Sequence, residues 1–261
     1  MAGNKHDRIR LGVSSLVWGF DLSPQDQMEW FLREASEIGY EGMLVFEASV
    51  MPWLDRPAEF KSLLGKYNMD MAGVILRPNI DYGTTDRLTK FMAEVGADVM
   101  NISGRDGTKA EWDIVIPALQ RHAEIAHKNG VRAVYQHHTG WIAETMEDYE
   151  RLLKDTDREY LGVMIDCGHA TKDFVGHSAQ EFILKHPELD YIEFKDYAPE
   201  SDLRTVVGRG LCDWPAVADA VRKIGYKGWI VVEQNGAFGP PRIGSDESFH
   251  YIRDVLGLGV R

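Results

Sequence analysis

The chain has 261 residues, 44% of them hydrophobic, which is enough to bury a sizeable core and suits one large α/β domain. Its 29 Lys and Arg stand against 41 Asp and Glu, and the net charge of −12 argues against nucleic-acid and anionic-membrane partners. The polar start MAGNKHDRIR lacks the apolar core of a signal peptide, and no apolar run approaches the roughly 20 residues that span a bilayer, so a cytoplasmic protein is expected.

Along the chain, short apolar runs alternate with stretches of helical period. The first strand is expected over 8–18 (RIRLGVSSLVW). It is followed by SPQDQMEWFLREASEIG, a helix with Ser23 as cap, Pro24 in its first turn and Gly39 at its end. Further strands are expected over 41–48, 70–78, 97–104, 131–138, 161–169, 189–196 and 228–235, eight in all. Before the eighth lies DWPAVADAVRKIG, with Asp213, Pro215 and Gly225 as its punctuation, and after it the closing helix DESFHYIRDVLG. Cys167 and Cys212 sit in no CxxC and read as packed thiols. No linker, low-complexity run or change of composition divides the chain, so residues 1–261 are expected to form one domain.

Eight strands, each followed by a helix, in roughly 250 residues predict a (β/α)8 TIM barrel, whose active site lies at the C-terminal ends of the strands. An open doubly wound sheet is the alternative. It would usually carry a glycine-rich phosphate turn after its first strand, where this chain has VSSLVWGF.

The polar residues gather at those strand ends: Glu47, Arg77, Asn101 and Ser103, Gln136 with His137 and His138, Asp166 and His169, Glu193 and Lys195, then Glu233, Gln234 and Asn235. Alternation along a strand puts Gln136 with His138, Glu193 with Lys195, and Glu233 with Asn235 on common faces. A single such residue is ordinarily a salt bridge or a polar plug. Carboxylates on consecutive strand ends repel one another unless a cation or shared protons hold them. Asp166, Glu193 and Glu233 with Gln136 offer an oxygen-rich set that suits Mn2+ or Mg2+ better than Zn2+.

GVMIDCGHA, the IEFKD strand end, VGRGLCDWPAVADAVRKIGYKGWIVVEQN and the closing ESFHYIRDVLG together resemble the xylose isomerase-like barrels of sugar-phosphate isomerases and epimerases. YQHHTG followed by ETMEDYERLL is most similar to the inosose dehydratase branch. The resemblance implies a divalent metal, commonly Mn2+ with Mg2+ or Co2+ as substitutes, held at Gln136, Asp166, Glu193 and Glu233, with His169 beside it. Two positions depart from the family pattern. Gln136 stands where Glu or His is usual, and Glu193 stands where the HxKD motif places His.

Such a metal polarises a carbonyl and stabilises the enediolate left when a neighbouring C–H proton is removed. His138, His169, Lys195 and Glu47 are the candidate bases, with His138 preferred because it shares a strand face with Gln136. The enediolate leads to isomerisation, epimerisation, dehydration or β-elimination. Trp18, Phe20 and Trp141 are candidate stacking surfaces for a sugar, and Arg77, Asn101 and Arg209 candidate substrate contacts. With no Lys/Arg run to mark a phosphate site, although Arg77, Arg209 and Arg242 together could form one, the expected substrate is an unphosphorylated keto-sugar, keto-polyol or keto-glycoside. A homo-oligomer is compatible with all of this. Three rivals share the fold. A three-zinc nuclease like endonuclease IV needs more histidines and a basic groove. A Schiff-base aldolase would use Lys195, and a non-catalytic sugar-binding subunit would have lost its metal.

Overall fold

The computed structural model describes residues 6–103 and 111–259. Gly104, the last residue expected in the fourth strand, and Met1 to Lys5 of the polar start lie outside the described residues. Eight parallel strands run round one sheet: β1 (Ile9–Ser14), β2 (Gly42–Phe46), β3 (Asp70–Leu76), β4 (Val99–Ile102), β5 (Arg132–Tyr135), β6 in two pieces (Leu161–Gly162 and Met164–Asp166), β7 (Tyr191–Phe194) and β8 (Gly228–Val232). Strands β1 to β5 pair in sequence, β8 pairs with β1 and with β7, and the two pieces of β6 close the ring. Leu161–Gly162 pairs with β5 and Met164–Asp166 with β7, so the barrel closes through the backbone of Val163.

The helices follow the expected order: α1 (Gln25–Ile38), α2 (Glu47–Val50), α3 (Pro57–Lys66), α4 (Tyr82–Val95), α5 (Trp112–Lys128), α6 (Met146–Asp155), α7 (Cys167–Asp173), α8 (Ala179–Lys185), α9 (Trp214–Lys223) and α10 (Pro241–His250). Helix α1 shows why they dock on the sheet. Met28, Phe31, Leu32, Ala35 and Ile38 recur at three- and four-residue intervals and are all buried, and Gly39 ends the helix at φ +117°, where a side chain would be strained. Its start differs from the expectation. Pro24 occupies the cap position with no side-chain cap, while the Ser23 N–H donates to Asp21. Asp213 caps α9 as expected, and the last helix begins earlier than expected, at Pro241. No helix among the described residues is long and apolar enough to cross a membrane.

Two apolar cores result. The larger lies between sheet and helices; the smaller fills the barrel with Leu44, Ala72, Val99, Val134, Met164, Tyr191, Trp229 and Val231 among its members. Trp229 is admitted by Gly42, because a Cβ there would stand 2.4 Å from the indole ring. The filled barrel decides what happens one layer up. Two residues beyond Val99, Val134, Met164, Tyr191 and Val231 come Asn101, Gln136, Asp166, Glu193 and Glu233, so the pleat carries all five inward above the apolar plug.

The split in β6 leaves a gap in the ladder beside this layer, and side chains fill it. The Tyr149 hydroxyl lies 2.9 Å from the Tyr135 carbonyl and 3.0 Å from that of Met164, and it accepts the Met164 N–H at 3.3 Å. His137 Nε2 accepts the Asp166 N–H at 3.2 Å. Replacing Tyr149 by Phe removes the hydroxyl that bridges the two sides of the buried seam. Urea unfolding should show a loss of about 1–3 kcal/mol. An unchanged midpoint and slope would show that the seam is held elsewhere.

Candidate metal centre and active site

Asp166, Glu193 and Glu233 bring carboxylate oxygens within 4.8 Å of one another, and all three residues are buried. Each is fixed by neighbours. Asp166 Oδ1 caps α7 by accepting the N–H groups of Gly168 (2.9 Å) and His169 (3.1 Å). Asn101 donates to Glu193 at 2.8 Å, and the Ser14 hydroxyl donates to Glu233 at 2.8 Å. Gln136 Nε2 donates to both Asp166 (2.8 Å) and Glu193 (2.6 Å), while its oxygen accepts from Ser103.

Lys195 lies inside this group. Its ammonium is 2.7 Å from Glu233 and 3.0 Å from Asp166, and the residue is 1% exposed. Burial works against the lysine charge, but Asp166, Glu233 and Glu193 outweigh it and hold the group well above its ordinary range. Burial likewise opposes ionisation of Asp166, yet Lys195, His169 and His137 keep it below the usual carboxylate range. Glu193 has the opposite balance: burial, then repulsion from Glu233 and Asp166, pushes it well up. Three carboxylates and one ammonium leave two negative charges to be offset in a low-dielectric interior, by protons or by a cation. The donor set is oxygen only and fits a hard divalent ion. Two buried atoms beside it, Asn101 Oδ1 and His169 Nε2, have no hydrogen-bond partner, and the latter is 3.9 Å from Asp166.

Beside Glu233 opens a cavity of about 350 Å3, lined in part by Gln136, His138, Trp141, Lys195 and Glu233. The His138 ring stacks on Trp141, with centroids 3.7 Å apart at 12°, and packs against His169 at 3.9 Å. His138 Nδ1 lies 2.9 Å from the Thr139 carbonyl, which can only accept, so Nδ1 carries the proton and Nε2 the lone pair. Burial lowers the pKa of this imidazole and favours its neutral form. His169 is fully buried, with Nδ1 facing Thr139 and Asp173, and is absent from the cavity wall.

Several expected site residues lie elsewhere. Trp18 packs outside the barrel on α1, its ring 5.0 Å from Phe31 and its indole N–H donating to Glu34 at 2.7 Å. Arg209 is exposed and pairs with Glu247 at 2.8 Å. Arg242 pairs with Glu37. Glu47 opens α2 instead of ending β2, and it is ion-paired with Arg77. Asn101 holds Glu193 and lines no part of the cavity. Lys195 is held as an ammonium by two carboxylates, which does not favour the free amine that a Schiff-base route needs.

Asp196 braces the following loop. It accepts from the N–H groups of Tyr197, Gly208, Gly210 and Cys212 and from the Trp214 indole, and a Cβ on Gly210 would stand 2.2 Å from its carboxylate. Ser14 is the contact that sequence reading missed. Its signal is the same inward step of two, from Gly12 on β1. Cys167 and Cys212 are free and buried, as expected of packed thiols.

The model of the xylose isomerase-like TIM barrel family matches residues 32–255. An inosose dehydratase of Geobacillus thermodenitrificans is 30% identical over 97% of this chain and 99% of its own. Among solved structures, a xylose isomerase-like TIM barrel protein from Mycobacterium smegmatis in complex with magnesium superposes with a TM-score of 0.74 at 17% identity, over 95% of this chain and 96% of that one. D-psicose 3-epimerase from Clostridium cellulolyticum gives 0.69 at 17% identity, over 91% and 88%. At these identities the two structures speak for the fold alone.

Burial pushes the His137 imidazole down to about 3 and lowers those of His138, His169 and His122. In the unfolded chain these groups take up protons near pH 6.5, which the native state refuses, so native stability is lost as the pH falls below about 6.5. Metal-stripped protein unfolded in urea at pH 7 and pH 5 should be weaker at pH 5. The variant His137→Phe should narrow the difference by up to about 2 kcal/mol. An equal difference in both proteins would show that His137 titrates normally.

Proposed function

We propose that this chain, which belongs to the xylose isomerase-like TIM barrel family, is a divalent-metal-dependent enzyme that removes a proton beside the carbonyl of a keto-sugar, keto-polyol or keto-glycoside. The observation that carries the reading is the convergence of Asp166, Glu193 and Glu233, three buried carboxylates within an ion's reach, of which Glu233 also lines an open cavity with Gln136, His138 and Lys195. Mn2+ is the preferred ion and Mg2+ or Co2+ the alternatives. In this reading the whole chain is one barrel domain acting in the cytoplasm on a small polyol, without nucleic-acid or membrane partners.

Asp166, Glu193 and Glu233 would hold the ion, with Gln136 bracing the first two or turning its amide oxygen inward. When bound, the ion supplies Lewis acidity at the substrate carbonyl and offsets charge on the enediolate. Lys195 adds a second fixed positive charge beside the same oxygen, already paired and so needing no reorganisation. His138 is the base. The Thr139 carbonyl fixes its tautomer, Trp141 fixes its plane, and the Nε2 lone pair takes the proton. His169, buried behind the cavity wall, orients Asp166. The name of the relatives, inosose dehydratase, supports loss of a β-hydroxyl as water over reprotonation on the other face or at the neighbouring carbon.

Solvent deuterium exchange into inososes and keto-sugars reports the proton abstraction whatever the product. Exchange should require Mn2+ in the wild type. In His138→Asn with metal content unchanged, it should fall by about 10²–10⁴. Wild-type exchange in that variant, with loss in His169→Asn instead, would transfer the role to His169. Replacing Asp166 or Glu233 by Ala should reduce bound Mn2+, read by equilibrium dialysis, by at least about tenfold with the fold intact. Full occupancy in both variants would place the ion elsewhere.

A further inference from the structure

Gln136 and Asp166 face each other across β5 and β6 at a height where no backbone ladder joins the two strands. Leu161–Gly162 pairs with β5, whereas Met164–Asp166 pairs with β7, at Tyr191, Ile192 and Glu193. The β5 side of Asp166 is held by a side chain instead: its N–H donates to His137 Nε2 at 3.2 Å. His137 follows Gln136, so alternation turns it out of the barrel while Gln136 faces in.

The His137 ring sits in an aromatic cage, its centroid 4.7 Å from that of Phe174 and 5.1 Å from that of Tyr149, and the residue is fully buried. Leu or Phe would pack there without polar cost. A ring nitrogen that accepts an N–H carries no proton, so the proton of this imidazole is on Nδ1. Nδ1 is buried and has no hydrogen-bond partner among the described residues, an arrangement that is destabilising by itself. What the histidine gains over an apolar residue is the contact made by its other nitrogen, and that contact is to Asp166. Asp166 Oδ1 is pinned in turn by the N–H groups of Gly168 and His169, which leaves Oδ2 turned toward Gln136 and Lys195. Tyr149 serves the same seam differently, since its hydroxyl bonds the backbone of Met164, two residues before Asp166.

We infer that His137 is a positioning residue for the carboxylate centre: by holding the Asp166 backbone where the ladder is missing, it sets the place of Asp166 Oδ2 relative to Glu193 and Glu233. It lines no part of the cavity and acts through Asp166 alone. The inference rests on the reading of the three carboxylates as a metal centre, and it divides the seam between two side chains. Tyr149 holds the strand, and His137 holds the ligand.

The test compares Mn2+ affinity, read by equilibrium dialysis, across variants of the two seam residues. His137→Phe fills the cage but accepts nothing from Asp166, and its affinity should fall by about tenfold or more. His137→Asn, too short to reach the Asp166 N–H, should show the same loss and replaces the Phe variant if that protein does not fold. His137→Gln, whose side-chain oxygen can stand where Nε2 stood, should stay within about threefold of wild type. Tyr149→Phe should also stay within about threefold, although it is less stable, because it loosens the strand and not the ligand. NMR of the metal-stripped protein gives a readout without the ion. His137 should carry its proton on Nδ1, and the Asp166 carboxylate carbon should shift in His137→Asn but not in Tyr149→Phe. Unchanged affinity in the Phe and Asn variants, equal losses in His137→Gln and His137→Asn, equal losses at His137 and Tyr149, or a proton on Nε2 would each overturn the inference. The NMR pattern with no Mn2+ bound to the wild type would support the brace and contradict the metal centre, and tight Mn2+ binding that ignores His137 would do the reverse.

Discussion

Like charge in a confined, water-poor space is the constraint on which the rest of this structure depends. Asp166, Glu193 and Glu233 meet where the barrel interior becomes polar, and each is buried. A buried ion pair broken at one member is strongly destabilising, because the remaining charge has no solvent to turn to. The surrounding residues answer that problem one by one. Lys195 bridges two of the carboxylates, Gln136 donates to two, Asn101 donates to Glu193, Ser14 donates to Glu233, and the first turn of α7 donates to Asp166. These partners still leave negative charge in excess, to be offset by protons or by a cation.

The fold supplies the geometry through a simple rule applied around the ring. An apolar side chain plugs the barrel, and the residue two positions later is polar and points the same way. The plug prevents water from dissolving the cluster from below. The split of β6 at Val163 puts a weakness beside Asp166, and Tyr149 and His137 repair it with side-chain hydrogen bonds. On the other flank, Asp196 gathers the loop after β7 while Lys195, one residue earlier, faces inward. Neighbouring residues on one strand thus serve the mouth and the loop separately.

The barrel itself was legible because it rests on periodicity. Eight apolar runs separated by helical stretches state the number of strands, and alternation along β5 to β8 states which polar residues share the interior. Glu193 could be placed with Asp166 and Glu233 for that reason. Residues beyond the strand ends were not legible, since no period governs a loop. Trp18 follows β1 closely in sequence, yet a short turn sends its ring back onto α1. Glu47 and Arg77 both end strand-like runs, and their pairing with each other was not legible. Lys195 was assigned to the inward face, but its contacts with Asp166 and Glu233 were not legible: a four-carbon stem lets it fold back among the carboxylates, and nothing in its neighbours along the chain shows that. The apolar lining of the cavity was legible only at Phe20, because Leu16, Phe46 and Ile75 come from three separate βα units and meet it only in the folded chain.

The proposed enzyme depends on one divalent cation to offset the excess charge of the carboxylate cluster. Thermal unfolding of metal-stripped wild-type protein, followed as Mn2+ is added, tests it most directly, because an ion that binds only the native state raises the melting temperature with concentration. The account predicts a saturable rise that fits one ion per chain and that disappears on adding a chelator. A melting temperature indifferent to Mn2+, Mg2+ and Co2+ would contradict it, and would leave Lys195 and shared protons as the whole answer to the charge.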